Sequence, residues 1–188
     1  MGVLGFTTPW EEPGFVAWKG RLRSLPRSGL SVRTAVPTPE DGRWLRWMQA
    51  DCESLFIHSI DDNVSRIDRQ LVSIAEIDAD PVGFCIALVG PTESDPLFLQ
   101  QVAVVPLARR RGAGLALLKA VGERAPRRDI AMATLDENEA AHALNEKLAK
   151  SIGASIRRVP LRQYRRSQLG FAQGERHRPW LIERSRED

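Results

Sequence analysis

Residues 102–114 read Val-Ala-Val-Val-Pro-Leu-Ala-Arg-Arg-Arg-Gly-Ala-Gly, and the order of elements around this segment indicates the architecture. An apolar strand ends at Pro106, and a basic turn leads into a helix predicted from about Arg111 to Glu123. The first turn of a helix carries N–H groups without intrahelical partners, and its dipole favours negative charge. Gly112 and Gly114 have no side chains that would keep a phosphate away from those groups. The segment therefore predicts a pyrophosphate-binding turn.

Two widespread phosphate-binding loops do not match this turn. A P-loop ends in Gly-Lys-Ser or Gly-Lys-Thr, and the sequence has neither. A dinucleotide-binding fingerprint requires a third glycine three residues after Gly114, where this chain has Leu117. Nucleotide triphosphatases and Rossmann-type dehydrogenases are thereby disfavoured.

The elements on either side of the turn predict one mixed α/β domain. Thr38 is predicted as a helix N-cap with Pro39 at the first helical position. Trp44, Trp47 and Met48 follow at helical spacing and predict a buried face, with a substrate cleft as the alternative for the two tryptophans. The other predicted helices are a short one within 51–70 and one over 139–151, and the predicted strands are 31–36, 71–77, 82–89, 97–105, 130–135, 156–160 and 179–183.

The turn also carries a family pattern. Arg109-x-x-Gly112-x-Gly114, preceded by Val104-x-Pro106, resembles the signature of the GNAT superfamily of acetyl-coenzyme A-dependent N-acetyltransferases. The helix after the next strand, with Leu144-x-Glu146-Lys147 and a Gly at 153, is similar to the second motif of that superfamily. The resemblance covers roughly residues 31–160. It implies a central, mostly antiparallel sheet with flanking helices and one splayed strand pair.

The resemblance further implies where acetyl-coenzyme A, the cosubstrate, binds. Backbone groups of the strand before the turn pair with the pantetheine arm, amides of the turn hold the pyrophosphate, and an asparagine lies near the pantetheine or the acyl end. The implied residues are Val102, Ala103, Val104, Arg109, Arg110, Arg111, Gly112, Ala113, Gly114, Leu115 and Asn138. A solvated surface cluster is the alternative for the three arginines, and no metal is implied.

The implied reaction is direct attack of a primary amine on the acetyl thioester, with a backbone amide near Val104 donating to the oxyanion. Two family positions differ here, because Asn145 stands where many relatives have a Tyr acid, and Phe98 where histone-type relatives have a Glu base. The remaining candidates for acid and base are Tyr164, Glu76, an acid within 51–62, His58 and His142. The catalytic residues therefore stay unassigned.

The sequence is compatible with three functions. The first is an N-acetyltransferase acting on an amine of a small molecule or a protein, and the second is a non-catalytic acyl-coenzyme A sensor. The third is an RNA- or ribosome-associated module that uses residues 157–188, which hold nine arginines against four acidic residues. Phe171 and Trp180 stand alone among these arginines, so no stacking platform for bases is evident and a nucleic-acid partner is disfavoured.

Composition and segment boundaries complete the expectations. Residues 1–30 read as an N-terminal extension, 31–160 as the N-acetyltransferase domain, and 161–188 as a basic segment that completes or flanks the sheet. No run reaches the roughly 18 to 20 apolar residues of a membrane span, and the first thirty residues lack the apolar core of a secretory signal. Two cysteines are too few for a disulfide framework. A cytoplasmic protein without a membrane partner is expected, and the superfamily allows a homodimer.

Overall fold

The structure is a computed structural model that describes residues 8–53, 55–171 and 176–185. Its centre is one seven-stranded sheet in the order β1-β2-β3-β4-β5-β7-β6. The strands are β1 Leu30–Thr34, β2 Leu71–Ile77, β3 Asp80–Val89, β4 Leu97–Val104, β5 Ile130–Leu135, β6 Ser155–Arg158 and β7 His177–Glu183. Only β4 and β5 pair in parallel, and the other five pairs are antiparallel. The predicted mixed, mostly antiparallel sheet is thus confirmed.

Six α-helices accompany the sheet in the described residues. They are α1 Pro13–Leu22, α2 Pro39–Asp51, α3 Ile60–Arg69, α4 Ala113–Glu123, α5 Glu139–Ser151 and α6 Arg166–Leu169. The predicted bounds of β2, β5 and α5 are confirmed. Helix α4 begins two residues later than predicted, because Gly112 takes a left-handed conformation with φ of 85° and cannot be a helical residue. Within the described ranges no helix is long and apolar enough to cross a membrane.

Local hydrogen bonds explain where several elements begin and end. The Oγ1 atom of Thr38 accepts a hydrogen bond from the Asp41 N–H at 3.3 Å, which confirms the predicted N-cap. β3 begins at Asp80 rather than Val82, because the hairpin turn consists of Asp78 and Ala79 alone, both with positive φ. Strand β1 begins at Leu30, one residue before the predicted start at 31. It ends at Thr34 rather than at residue 36, because the chain then turns toward α2.

Helix α1 packs on the same core as the rest of the chain. Trp18 is fully buried, and its Nε1–H donates to the carbonyl of Pro81 on β3 at 3.0 Å. Its ring contacts those of Trp44 and Trp47, with centroids 6.2 and 6.0 Å away. Trp47 is therefore buried in the core and the half-buried Trp44 packs against it, as their helical spacing predicts, and the two tryptophans do not form the walls of a cleft.

Truncation of Trp18 measures how much α1 contributes to this core. Trp18→Ala is expected to lower the free energy of unfolding by about 3–5 kcal/mol, because a large buried ring and its hydrogen bond are both lost. The control is Val16→Ala on the same helix, whose side chain is 59% exposed. Urea unfolding of both variants checks the difference. If both variants lost the same small amount of unfolding free energy, the packing of α1 on the sheet would be contradicted.

The feature that opens the sheet is the divergence of β4 from β5. The two strands pair only through Leu97–Leu99 and Ile130–Met132, and β4 then continues without its parallel partner. The register between β3 and β4 shifts at the same level, so that Gln100 is an extra, bulged residue. A bulge bends its strand, and here the bend separates β4 from β5. The splayed strand pair implied by the family resemblance is present.

Candidate functional site

The splayed strands open onto a cavity of about 340 Å³. Its walls come from β4, the first turns of α4 and α5, and the chain that follows α2. The lining residues are Cys52, Glu53, Leu55, Val102, Ala103, Val104, Arg109, Gly114, Asn138, Ala140, Ala141 and Leu144. Six of the eleven residues that the sequence assigned to acetyl-coenzyme A lie among them. The structure therefore brings together β4, the basic turn and Asn138.

Strand β4 turns part of its backbone toward this cavity. Val105 donates its N–H to the carbonyl of Val82 at 2.9 Å, so this residue is bonded to β3. In an antiparallel ladder such bonds recur at every second residue. Ala103 therefore also faces β3, while Val102 and Val104 direct their N–H and C=O groups to the opposite edge, which β5 has left. Both residues present backbone polar groups to the cleft.

The turn between β4 and α4 offers a set of free donors. Among the hydrogen bonds of the described residues, none is donated by the backbone N–H groups of residues 110–115. Arg110 and Gly112 both have positive φ, at 63° and 85°. Alternation of left-handed and ordinary residues produces a concave arrangement of N–H groups that binds anions. The start of α4 adds its dipole, so the turn fits a phosphate group.

The three arginines of the turn differ in what they contact. The Nε–H of Arg109 donates to the carbonyl of Val104 at 3.1 Å, and its guanidinium lies at the cavity. Arg110 is exposed. Arg111 donates through Nη1 to the carbonyls of Leu25 and Pro26, at 3.3 and 2.6 Å, and so fastens the N-terminal segment to the turn. The side chain of Arg111 thus has a structural role, and only its backbone N–H faces the proposed anion site.

Asn138 and Leu144 place helix α5 along the cavity. Asn138 is the N-cap of α5, and its Oδ1 accepts from the N–H of Ala141 at 3.0 Å. Leu144 lies within 3.2 Å of where a Cβ on Gly114 would stand. A side chain at position 114 would therefore require the end of the Leu144 side chain to shift by a few tenths of an ångström. The glycine suits this close approach of α4 and α5.

Residues near the end of α2 contribute to the cavity without having been singled out by the sequence. Cys52 is buried, and this burial raises the pKa of its thiol to about 11, so the thiol is neutral at pH 7. Glu53 is exposed at the rim of the cavity. It falls within the acidic stretch 51–62 that was considered for a base, but nothing in the local pattern distinguishes it from its acidic neighbours. Only the tertiary fold brings it to β4.

The two family positions that differ in this chain are both buried. Phe98 is fully buried and contacts Tyr164 edge-to-face, with ring centroids 5.3 Å apart. Tyr164 is therefore a packing residue on a second, smaller cluster. Asn145 is 6% exposed and does not line the cavity. None of these three residues is placed to exchange a proton in the cleft.

The remaining acid and base candidates are also held elsewhere. Glu76 forms an ion pair with Arg33 at 2.6 Å, and Arg33 also binds Asp41. The Nε2 atom of His142 lies 3.1 Å from the carbonyl of Leu135, and its ring contacts Trp180. His58 borders a separate cavity beside α3. Glu53 is therefore the described carboxylate that reaches the cleft.

A split sheet whose bulged strand leads into an anion-binding turn and helix defines the fold of the acyl-coenzyme A-dependent N-acyltransferases. The sequence profile of the Acetyltransferase (GNAT) family matches residues 38–149, more than half of the chain. The chain belongs to the GNAT family of N-acetyltransferases, in which acetyl-coenzyme A is the cosubstrate. The sequence-based recognition of the family is confirmed.

Individual relatives are enzymes that act on a diamino acid. The chain is 37% identical over 91 residues to the L-2,4-diaminobutyric acid acetyltransferase of Nocardia farcinica, and this match spans about half the length of both proteins, 47% of each. It is 34% identical over 135 residues to the enzyme of the same name from Shouchella clausii, covering 66% of this chain and 75% of that relative.

A solved structure shares the fold. The diaminobutyrate acetyltransferase of Paenibacillus lautus, in complex with L-2,4-diaminobutyric acid and coenzyme A, superposes with a TM-score of 0.65 at 24% identity. The match covers 85% of this chain and 99% of that one. At this identity the likeness concerns the fold alone.

Proposed function

We propose that this chain transfers the acetyl group of acetyl-coenzyme A to a primary amine of a small diamino acid, with L-2,4-diaminobutyric acid as the first candidate. The observation that carries the proposal is the cleft between β4 and β5, with its unbonded N–H groups at residues 110–115. The names of the two sequence relatives support the acceptor.

The order of groups along β4 suggests how the cosubstrate lies. The N–H groups of residues 110–115, with Arg109 beside them, hold the pyrophosphate. Val104 is next along the strand and pairs with the pantetheine arm. Val102 is nearest the bulge, where the cleft narrows, and its N–H donates to the thioester carbonyl. The N–H that donates to the thioester carbonyl is thus assigned to Val102, whereas the family resemblance implies an amide near Val104. The cosubstrate supplies an acetyl group activated as a thioester.

The acceptor amine has to lose a proton before it can attack. We assign the acceptance of that proton to Glu53, directly or through a water, because it is the carboxylate at the rim of the cavity. Glu53→Gln is expected to lower kcat by about 10-fold or more at neutral pH. The loss should shrink at high pH, where the amine is already neutral.

Steady-state rates from pH 7 to 10 check the assignment of Glu53. The matched control is Glu40→Gln, an exposed carboxylate on α2 outside the cavity. An unchanged kcat for Glu53→Gln throughout this range would exclude Glu53 as the base.

A non-catalytic acyl-coenzyme A sensor is the second candidate. It is favoured by the buried Asn145 and Phe98, which stand where many relatives have an acid and a base. The two candidates differ in turnover. Release of free thiol from acetyl-coenzyme A is measured with and without L-2,4-diaminobutyric acid, and the acetylated product is identified by mass spectrometry. Acceptor-dependent release supports the enzyme, whereas binding of the cosubstrate without release from any of a panel of amines supports the sensor.

A cytoplasmic location and a homodimer belong to the same proposal as predictions from the sequence. Both cysteines are free and buried, which suits a reducing compartment. Sedimentation of the purified chain tests the homodimer.

A further inference from the structure

A second cavity of about 550 Å³ lies beside helix α3. His58, Arg66, Gln70 and Leu88 are among the residues that line it. The chain between α2 and α3 borders both cavities, since Leu55 faces the first and His58 the second. Gln70 donates through Nε2 to the Oε1 of Gln100, the bulged residue of β4, at 2.8 Å. Gln70 therefore connects the second cavity to the bulge of β4, near which the acetyl group is proposed to lie.

Two residues that line this cavity each have a buried polar atom without a hydrogen-bond partner in the described residues. They are Nη1 of Arg66, a donor, and Oε1 of Gln70, an acceptor. Within the same residues, no carboxylate lies within ion-pair distance of Arg66. Asp62 stands one helical turn earlier, but its Oδ2 accepts from the hydroxyl of Ser59 at 2.7 Å. A buried guanidinium nitrogen without an acceptor is costly to the folded state. Its position on a residue that lines a cavity points to a ligand that supplies the acceptor.

We propose that this cavity is the acceptor subsite and that Arg66 binds the carboxylate of an amino-acid acceptor. The inference rests on the proposed function, because it uses the delivery of acetyl at the bulge. A guanidinium presents two parallel N–H groups that match a carboxylate. The Oε1 of Gln70 accepts from the α-ammonium group of the same molecule, and the side-chain amine extends toward Gln100 and the cleft.

The proposal distinguishes amino acids from simple diamines. A diamine without a carboxylate leaves Arg66 unpaired and brings a second positive charge next to it. 1,3-Diaminopropane is L-2,4-diaminobutyric acid without its carboxylate, so the pair isolates the contribution of that group. Lysine and 1,5-diaminopentane form a second pair with a longer side chain.

The test compares kcat/KM for the two members of each pair in the wild type and in Arg66→Met. The wild type is expected to prefer the carboxylated member of at least one pair by about 10- to 100-fold, as one charge-assisted contact predicts. Arg66→Met should bring the kcat/KM values of the two members close together, mainly through a higher KM for the carboxylated one. Its melting temperature should change little, because methionine keeps most of the apolar stem and removes the buried, unpartnered Nη1. Arg43→Met, which removes an exposed arginine of α2, is the matched control and should keep the preference.

Several results would overturn the proposal. A wild type that prefers both diamines contradicts it, as does an Arg66→Met variant that keeps the preference for the carboxylate. Failure of the proposed function is detected separately, by calorimetry with acetyl-coenzyme A and by thiol release. If no amine is acetylated, calorimetric titration of L-2,4-diaminobutyric acid and of lysine into the wild type and Arg66→Met decides. Saturable binding that the variant loses supports the subsite, and no binding by the wild type overturns it.

Discussion

Replacing Gly112 with tryptophan is expected to weaken the binding of acetyl-coenzyme A by at least ~100-fold, because at least two hydrogen bonds to a charged phosphate are lost at about 1.5–3 kcal/mol each. Gly112 has φ of 85°, a conformation that residues with a side chain rarely adopt. A bulky residue there displaces the turn or covers the N–H groups of residues 110–115. Calorimetric titration of both proteins measures the change.

The control for backbone strain is Gly153→Trp. Gly153 also has positive φ, at 64°, and a Cβ placed there meets nothing within 4 Å. This variant carries a similar conformational penalty at the end of α5, away from the turn. It should bind acetyl-coenzyme A as the wild type does. Equal affinity of Gly112→Trp and the wild type, with both folded by circular dichroism, would contradict the assignment of the turn to the pyrophosphate.

The second large effect concerns a single backbone N–H on β4. Val102→Pro is expected to lower kcat by about 100- to 1,000-fold, as the loss of one oxyanion donor does in other enzymes, while the affinity for acetyl-coenzyme A changes only a few-fold. Proline removes the N–H of residue 102 and nothing from the ladder with β3, because Val102 faces the cleft. Single-turnover rates and calorimetry separate the two quantities.

Proline substitutions at the two following positions serve as controls for Val102→Pro. Val104→Pro removes the N–H assigned to the pantetheine arm, and it should weaken binding by about 10-fold or less, as one neutral hydrogen bond predicts. Ala103→Pro removes a donor to β3 and should destabilise the fold instead. A Val102→Pro enzyme with wild-type kcat would exclude this N–H as the donor to the thioester carbonyl.

The sequence predicted what depends on short-range signals. The stop at Pro106, the cap at Thr38 and the spacing of glycines after Arg109 are each determined by neighbouring residues, so strand, turn and helix were expected in the right order. The splay is implied by the family resemblance, and the structure adds the bulge. They have no local marker of their own, because Gln100 becomes an extra residue only through its register with β3.

Contacts between distant segments were not predictable in the same way. Helix α1 lies in the segment read as an extension, and its burial depends on Trp18 meeting Trp44, Trp47 and β3. In the sequence Arg111 is indistinguishable from the other two arginines of the turn, and only the fold shows that its guanidinium donates to carbonyls more than eighty residues earlier. Glu53 and Arg66 belong to a polar stretch in which no local pattern distinguishes one residue from another. Only the fold shows that Glu53 lines the first cavity and Arg66 the second.

Amide hydrogen–deuterium exchange of the wild type, with and without acetyl-coenzyme A, tests the central claim most directly. Slower exchange is expected at residues 110–115 and at residues 102 and 104 of β4 when the cosubstrate is bound. Residues of α1 and of the β2–β3 hairpin should exchange as before. Unchanged exchange at residues 102–115 with saturating acetyl-coenzyme A, or protection confined to another surface, would contradict the placement of the cosubstrate in the cleft between β4 and β5.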